Sequence, residues 1–403
     1  MAMDIVFLLF AVLCFALALN VICPIYRHPK YAVFSFLFGW PAGELALHVV
    51  AVQAILVFLV VFLGEISGGM DALSLMLIAT GWILLSYHYF SGFRAHARFS
   101  SLFGEDSNLS LNWQRLIRPF YHLKDHGLLV DKNIVYREVD GMRLKLDIRR
   151  KNNQLKDAPV LIQIHGGAWT KGYGSKNEQG LPLMQNLAQQ GWVCVSVDYR
   201  LSPKATFPDH IIDCKHALAW VKDNIAEYGG DAGFIVLTGG SAGGHLSSLL
   251  ALSAQEDAFH EALSGRDLSV QGCVPFYGIY DLLDEKGLQK SVGIEIVMRK
   301  SIIKETKTEN PDLYRLMSPM THISKEAPPF MVVHGDKDTL TSIDEARYFA
   351  NTLRQHSCNT VSFAAIDGAQ HAFEMFPSLR CDIVVAGVSA QVNQWHADYL
   401  KKH

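Results

Sequence analysis

The sequence predicts an α/β domain with a mostly parallel sheet and helices on both faces, preceded by a transmembrane helical region of about three spans. Between Ile5 and Phe93 the only charged residues are Arg27, Lys30, Glu44, Glu65 and Asp71. From residue 132 onward, short β-rich runs alternate with helical ones, the pattern of parallel strands joined by crossover helices. One of those strands leads directly into Gly239-Gly240-Ser241-Ala242-Gly243-Gly244, a glycine-flanked serine placed to open a helix.

The N-terminal charges cut their stretch into the apolar blocks Ile5–Tyr26, Tyr31–Gly43, Leu45–Gly64 and Ala72–Phe93. Three blocks reach the roughly 20 residues a helix needs to cross about 30 Å of hydrocarbon. The predicted spans are therefore about 5–26, 45–64 and 72–92. Tyr31–Gly43 is too short, and its Gly39-Trp40-Pro41-Ala42-Gly43 end is expected to break a helix, so it reads as an interfacial or re-entrant piece. Ala16-Leu17-Ala18 has the small-x-small form of a cleavage site. No Lys or Arg precedes the apolar run, however, and the run continues past it, so the first block reads as a retained span. Arg27 and Lys30 follow the first span, the loop Glu65–Asp71 has no Lys or Arg, and Arg94 and Arg98 follow the third span. Positive loops face the cytoplasm, so the N-terminus is expected outside and the remainder inside, as a multi-pass integral membrane protein with the lipid bilayer as a partner. Seven widely spaced cysteines without a C-x-x-C pair suit a reducing compartment.

The whole chain of 403 residues carries 36 Lys+Arg against 39 Asp+Glu, and only 19% of it is charged, against roughly 25% in soluble domains. Its mean hydropathy is +0.14. With no excess of positive charge to neutralise phosphates, a nucleic-acid partner is not expected. Three parts follow: a helical membrane region 1–93, a connector 94–131, and a catalytic domain 132–403. The connector mixes basic residues with Phe99, Leu102, Phe103, Trp113, Leu116, Ile117, Phe120 and Tyr121. Apolar positions recur at helical spacing over 111–121, as in an amphipathic segment lying on a membrane or on the next domain.

In the third part, Asn133–Val139 and Met142–Arg149 flank Asp140-Gly141, a hairpin turn signal. The strand Val160–Ile164 precedes a helix over Lys176–Gln190 that stops at Gly191. The strand Val193–Val197 and the helix Asp209–Tyr228 come next, followed by the strand Phe234–Thr238 and the helix Gly243–Ala254. Strands Val270–Phe276 and Phe330–His334, the helix Ser342–His356, the strand Thr360–Ile366 and the helix Ser378–Lys401 complete the domain.

A serine between glycines at −2 and +2, on a sharp strand-to-helix turn, has its hydroxyl lifted above the sheet beside a helix N-terminus that favours negative charge. Such a nucleophile needs a base, and the base needs a carboxylate to fix its tautomer. Asp338, in His334-Gly335-Asp336-Lys337-Asp338, and His371, in Asp367-Gly368-Ala369-Gln370-His371, each follow a strand. The order Ser241, Asp338, His371 is that of an α/β-hydrolase. Asp336 sits earlier in its turn and is expected to hold the loop. His165-Gly166-Gly167-Ala168-Trp169 follows the strand Val160–Ile164. Backbone N–H groups of Gly166, Gly167 and Ala242 are expected to form an oxyanion hole. His165 has no partner at metal-ligand spacing and is read as structural; neither a metal nor an organic cofactor is expected.

Together these residues resemble the hormone-sensitive-lipase-like carboxylesterases of the α/β-hydrolase fold, a group similar to arylacetamide deacetylases and small bacterial esterases. The matching pieces are His165–Trp169, Asp198-Tyr199-Arg200-Leu201 with Pro203 and Phe207-Pro208, and Tyr228-Gly229-Gly230-Asp231. Gly239–Gly244, Tyr277-Gly278-Ile279-Tyr280-Asp281-Leu282, His334–Asp338 and His371 extend the resemblance over about 155–400. It implies Ser241 as nucleophile, His371 as base, Asp338 as acid, the same three oxyanion donors, and Trp169 at the substrate; Asp198, Arg200, Asp209 and Asp213 are left as scaffold. Many such proteins carry a third glycine where this chain has Ala168. The membrane region is a second departure, and the plant isoprenylcysteine methylesterases look similar in layout. Leu283–Ala327, with Ile294, Ile296, Val297, Met298, Ile302 and Ile303, looks like a helical cap.

The expected activity is hydrolysis of a small-molecule or lipid acyl ester through an acyl-enzyme. An acyltransferase would use the same groups. A prolyl-oligopeptidase-like peptidase usually has Tyr where this chain has Ala242, and a gibberellin-receptor-like binding protein would lack His371. A transporter is disfavoured because the spans hold no charge to mark an ion path.

Overall fold

The computed structural model describes residues 2–63, 68–97, 113–120, 123–290 and 292–402. Four apolar helices come first: α1 (Ala2–Ile22), α2 (Pro29–Glu44), α3 (Ala46–Leu63) and α4 (Gly69–Ser91). α1 packs along α4, with Phe7, Ala11, Cys14 and Ile78 in one buried cluster and Ala18, Val21 and Leu85 in another. Gly81 faces the Cys14 carbonyl and Ala18 of α1, and small residues are what let apolar helices approach. α1 and α4 are long and apolar enough to cross a membrane, whereas α2 and α3 form a pair bent by 87° that amounts to one further span at most.

The helix α2 departs from expectation. It does not break at Gly39–Gly43 but continues through Pro41 to Glu44. Pro41 gives up one backbone N–H within the helix, but its own carbonyl still accepts from Leu45 N at 2.9 Å. In apolar surroundings a helix that satisfies its own backbone outlasts local breaking propensity. The chain turns sharply only after this helix. Of the predicted connector, a short helix α5 (Trp113–Ile117) is seen; Arg98, Phe99, Leu102, Phe103 and Tyr121, like Glu65 in the second loop, lie outside the described residues.

Among the described residues, 129–366 carry one eight-stranded sheet. Its strands are β1 (Leu129–Val139), β2 (Met142–Arg150), β3 (Ala158–Ile164), β4 (Val193–Val197), β5 (Gly230–Gly240), β6 (Gly272–Phe276), β7 (Phe330–Gly335) and β8 (Val361–Ile366). The order is β1-β2-β4-β3-β5-β6-β7-β8, antiparallel at β1/β2 and β2/β4 and parallel elsewhere. The first hairpin turns at Asp140-Gly141, both with positive φ. β3, β4, β6 and β7 are buried along their whole lengths and β5 from Phe234 onward, as parallel strands covered on both faces must be.

The covering helices are α6 (Leu181–Gln189), α7 (Asp209–Asn224), α8 (Ala242–Leu252), α11 (Ile343–His356) and α12 (Leu379–Leu400), with the short α9 (Gly293–Val297) and α10 (Pro311–Met317) between β6 and β7. α6 starts five residues later than its sequence pattern suggests. Gly180 takes a left-handed φ of 67° before it, and Lys176 leaves the helical path to pair with Asp147 Oδ1 at 2.6 Å. α7 ends at Asn224 and passes into a 3₁₀ turn, Ile225–Tyr228.

Polar contacts join the apolar helices to this domain. Arg380 of α12, almost fully buried, donates to the His88 carbonyl at 2.5 Å and to Ser91 Oγ at 3.0 Å on α4. Within the domain, Arg200 ties Asp209 and Asp213 together at 3.2 and 2.8 Å, a scaffold arrangement.

The buried Lys176–Asp147 pair supports a direct stability prediction. Lys176→Met removes the nearer cation from buried Asp147, leaving it the Arg149 guanidinium at 4.0 Å, and is expected to cost about 3 kcal/mol, while Lys176→Met with Asp147→Leu recovers most of the loss. Thermal denaturation of the detergent-solubilised chain measures both; equal midpoints for wild type and the single variant would refute the assignment.

Candidate active site

β5 runs straight into Ser241, which takes φ 57° and ψ −119° and caps α8. A left-handed conformation at a non-glycine residue costs on the order of 1–3 kcal/mol and persists only where its surroundings impose it. Here they do so from both sides. Ser241 N donates to the Phe276 carbonyl at 3.0 Å. A Cβ at Gly239 would lie 2.5 Å from the Ile164 carbonyl oxygen, and one at Gly243 would collide with that same atom. The two glycines thus let the end of β3 pass against the turn.

That close passage brings the β3 loop to the serine. A Cβ on Gly166 would meet the Gly240 carbonyl and lie 3.2 Å from Ser241 Cβ. The Gly166 N–H, expected as an oxyanion donor, instead donates to Gln179 Oε1 at 2.5 Å. Gly167, Ala168 and Trp169 all take positive φ, at 112°, 51° and 55°, so the loop curls tightly. Trp169 lies only 3% exposed, edge-on to His245 of α8 at 5.1 Å, and its indole N–H has no partner among the described residues. His165 is stacked on Tyr199, with Nδ1 2.7 Å from the Gly166 carbonyl, and burial lowers its pKa to about 4, so it is neutral at pH 7. Among the described residues no group of His, Cys, Asp and Glu is arranged to hold a metal.

β7 and β8 are parallel neighbours whose last residues, Gly335 and Ile366, pair directly. The loops beyond them therefore emerge side by side. Asp338 Oδ1 accepts the backbone N–H groups of Leu340 and Thr341, both at 2.8 Å. Its Oδ2 accepts Thr341 Oγ at 2.9 Å and the His371 Nδ1–H at 2.7 Å. Burial alone would raise this carboxyl, but the charge and hydrogen bond of His371, with His334 and the loop amides, outweigh it and leave the pKa below the ordinary value. Asp336 turns elsewhere and accepts Gly368 N–H at 2.7 Å, tying the two loops together.

Sequence reasoning gave no role to two residues here. Tyr277, at φ 37°, packs its ring tilted against that of His371, with centroids 4.5 Å apart. Its hydroxyl reaches the serine turn, where a Cβ on Gly240 would lie 2.6 Å away, and donates to Glu374. Glu374 is 5% exposed, and burial pushes its pKa up to about 7. Tyr277 lay within a matched motif without a role, and Glu374 stands only three residues beyond His371; neither spacing is a recognisable signal. From the N-terminal region, Phe36 of α2 meets the His371 ring edge-on at 5.8 Å, a contact between residues too far apart in sequence to be foreseen. The 283–327 segment buries Met298, Ile302 and Ile303 in the main core, and its Gln289, Lys290 and Ile294 share a small cavity with Asp338 and Thr339.

Residues 146–353 match the BD-FAE family model. The probable carboxylic ester hydrolase LipM of Mycobacterium tuberculosis is 44% identical over 73% of this chain and 65% of its own. Esterase LipQ of the same organism is 41% identical over 62% of this chain and 59% of its own. The chain thus spans less than two thirds of the length of these curated relatives. Among solved structures, the apo form of esterase 2 from Thermogutta terrifontis superposes with a TM-score of 0.52 at 26% identity, covering 68% of this chain and 94% of that one. The matched family residues begin within β2 and leave α1–α4 outside. With half of its length matched to the family model and with esterases as its relatives and structural neighbours, this chain belongs to the BD-FAE family and carries an α/β-hydrolase domain of the carboxylesterase kind.

Proposed function

We propose that the protein is a serine carboxylesterase seated in a membrane by its apolar N-terminal helices, acting on acyl esters. The observation that carries this reading is the buried Asp338–His371 hydrogen bond set beside a serine held in a strained, helix-capping turn. Ser241 Oγ attacks the ester carbonyl carbon as His371 Nε2 takes its proton. Asp338 fixes the tautomer, because its bond to Nδ1–H leaves Nε2 as the acceptor, and it stabilises the imidazolium that forms. The tetrahedral intermediate collapses as the carbon–alkoxy bond breaks, and His371 returns the proton to the departing alcohol. Water then attacks the acyl-enzyme by the same route and releases the acid.

The N–H groups of Gly167 and Ala242 serve the oxyanion in this reading, and that of Gly166 joins them once the Gln179 side chain turns away. The buried, unpaired indole N–H of Trp169 is the group proposed to meet the substrate. The 283–327 segment caps the acid loop. The proposed orientation places this domain on the cytoplasmic side, following Arg27, Lys30 and Arg94.

Turnover of p-nitrophenyl butyrate by the full chain in mild detergent tests the proposal. Ser241→Ala is expected to lower kcat by roughly 10⁴-fold or more with its melting curve unchanged, and Asp338→Asn by about 10⁴-fold through the wrong tautomer, with a lower melting midpoint because a buried charge-assisted hydrogen bond is lost. Wild-type kcat in Ser241→Ala would sink it.

Glu374 gives a pH signature. A buried acid whose pKa rises from 4.5 to about 7 binds its proton more tightly in the folded state. Its stabilising effect is therefore complete below about pH 4.5 and is lost as pH rises through about 7, a decline on the order of 1–3 kcal/mol. Glu374→Gln keeps an acceptor for Tyr277 and removes the titration. Its stability is expected to fall less than wild type's between pH 5 and 8 in denaturant titrations; parallel curves would contradict the burial argument.

A further inference from the structure

Four residues of α2, Ala32, Phe36, Trp40 and Glu44, recur every four positions and so form one line along the helix. Each meets the loops that follow β7 and β8. The Ala32 carbonyl accepts from Thr339 Oγ at 3.0 Å. Phe36 abuts His371 edge-on at 5.8 Å and stacks on Trp40 at 5.2 Å. The Trp40 indole N–H donates to the Ala372 carbonyl at 2.8 Å, and its ring packs on Phe376 at 4.8 Å. Glu44 accepts from Ser378 Oγ at 2.5 Å. Thr339 adjoins Asp338 and Ala372 adjoins His371, so the line grips the chain next to both members of the acid–base pair. Ala372 itself takes a left-handed φ of 60°, a conformation that needs an external hold, and the Trp40 bond to its carbonyl supplies one.

The helix is fixed in turn. Asn20 of α1 accepts from Ser35 Oγ at 2.6 Å and donates to the Ser35 carbonyl at 2.9 Å. The opposite face of α2 presents Tyr31, Val33, Phe34, Leu37 and Phe38, all exposed, alongside helices of membrane-spanning length.

We propose that α2 is a brace for the acid–base pair, with Phe36 and Trp40 as positioning residues that hold the His371 ring between Phe36 and Tyr277. The inference rests on the esterase reading and extends it: the helix region outside the matched family residues takes part in setting the geometry of catalysis.

The test measures kcat, KM and the kcat–pH profile on p-nitrophenyl butyrate, using the full chain in phosphatidylcholine nanodiscs. Phe36→Ala and Trp40→Ala are expected to lower kcat roughly 10- to 100-fold with KM within about twofold. Both are expected to move the acid limb of the profile, which reports His371. Trp40→Phe keeps the ring and loses the bond, and should fall between. Phe34→Ala, on the outer face, should match wild type. Should an alanine variant fail to accumulate, Phe36→Leu and Trp40→Phe decide by the same acid-limb shift. An unmoved acid limb and kcat within about twofold of wild type in the inner-face variants, or an equal loss in Phe34→Ala, overturns the brace. An inactive wild type would instead bring down the esterase reading, and that outcome is visible before any variant is compared.

Discussion

The hydrogen bond between Asp338 and His371 is the contact on which the rest of the site converges. It exists because β7 and β8 lie parallel and in register to their last residues, so two loops that leave the sheet at the same edge can share one buried carboxylate. That carboxylate is satisfied on every side, by two backbone amides, a threonine hydroxyl and the imidazole. Removing water from such a pair strengthens it, provided that no lone pair is left over. The same enclosure that fixes the His371 tautomer also makes the loops dependent on neighbours, and those neighbours come from three places: Tyr277 after β6, Gly368 held by Asp336, and α2 from the apolar region.

The serine side is organised by sterics rather than charge. Glycines at 239 and 243 allow the end of β3 to cross the turn within contact distance, and this forces Ser241 into a conformation that a more open turn would not hold. The two halves meet at Tyr277, whose ring lies on His371 and whose hydroxyl lies under Gly240. Because β5, β7 and β8 run parallel in one sheet, the loops carrying Ser241, Asp338 and His371 leave it at one edge. What the apolar helices add is restraint: a helix bent by 87° from its successor lies along the acid and base loops while its other face stays exposed.

The alternation of strands and helices was legible because the parallel strands are short apolar runs, and the strands found span those runs with ends shifted by a few residues. The glycine-flanked serine, and the aspartate and histidine after the last two strands, were legible because turn chemistry leaves a local signature. The start of α6 was not, because a tertiary pair, Lys176 with Asp147, overrides helical spacing. Nor was the persistence of α2 through Pro41, where the surroundings decide rather than the residue. The contacts of Phe36 and Trp40 with the base loop join residues more than three hundred positions apart, and no local pattern encodes them. The occupied Gly166 N–H was missed for the same reason, since its partner Gln179 belongs to no motif.

Ser241 is the proposed nucleophile of an ester hydrolase. The most direct test is to treat the full chain in mild detergent with a fluorophosphonate and locate the adduct by peptide mass spectrometry. One phosphonylated residue is expected, Ser241, formed in the folded protein and absent after denaturation. An unmodified Ser241 in folded protein, or an adduct on another serine, would contradict it.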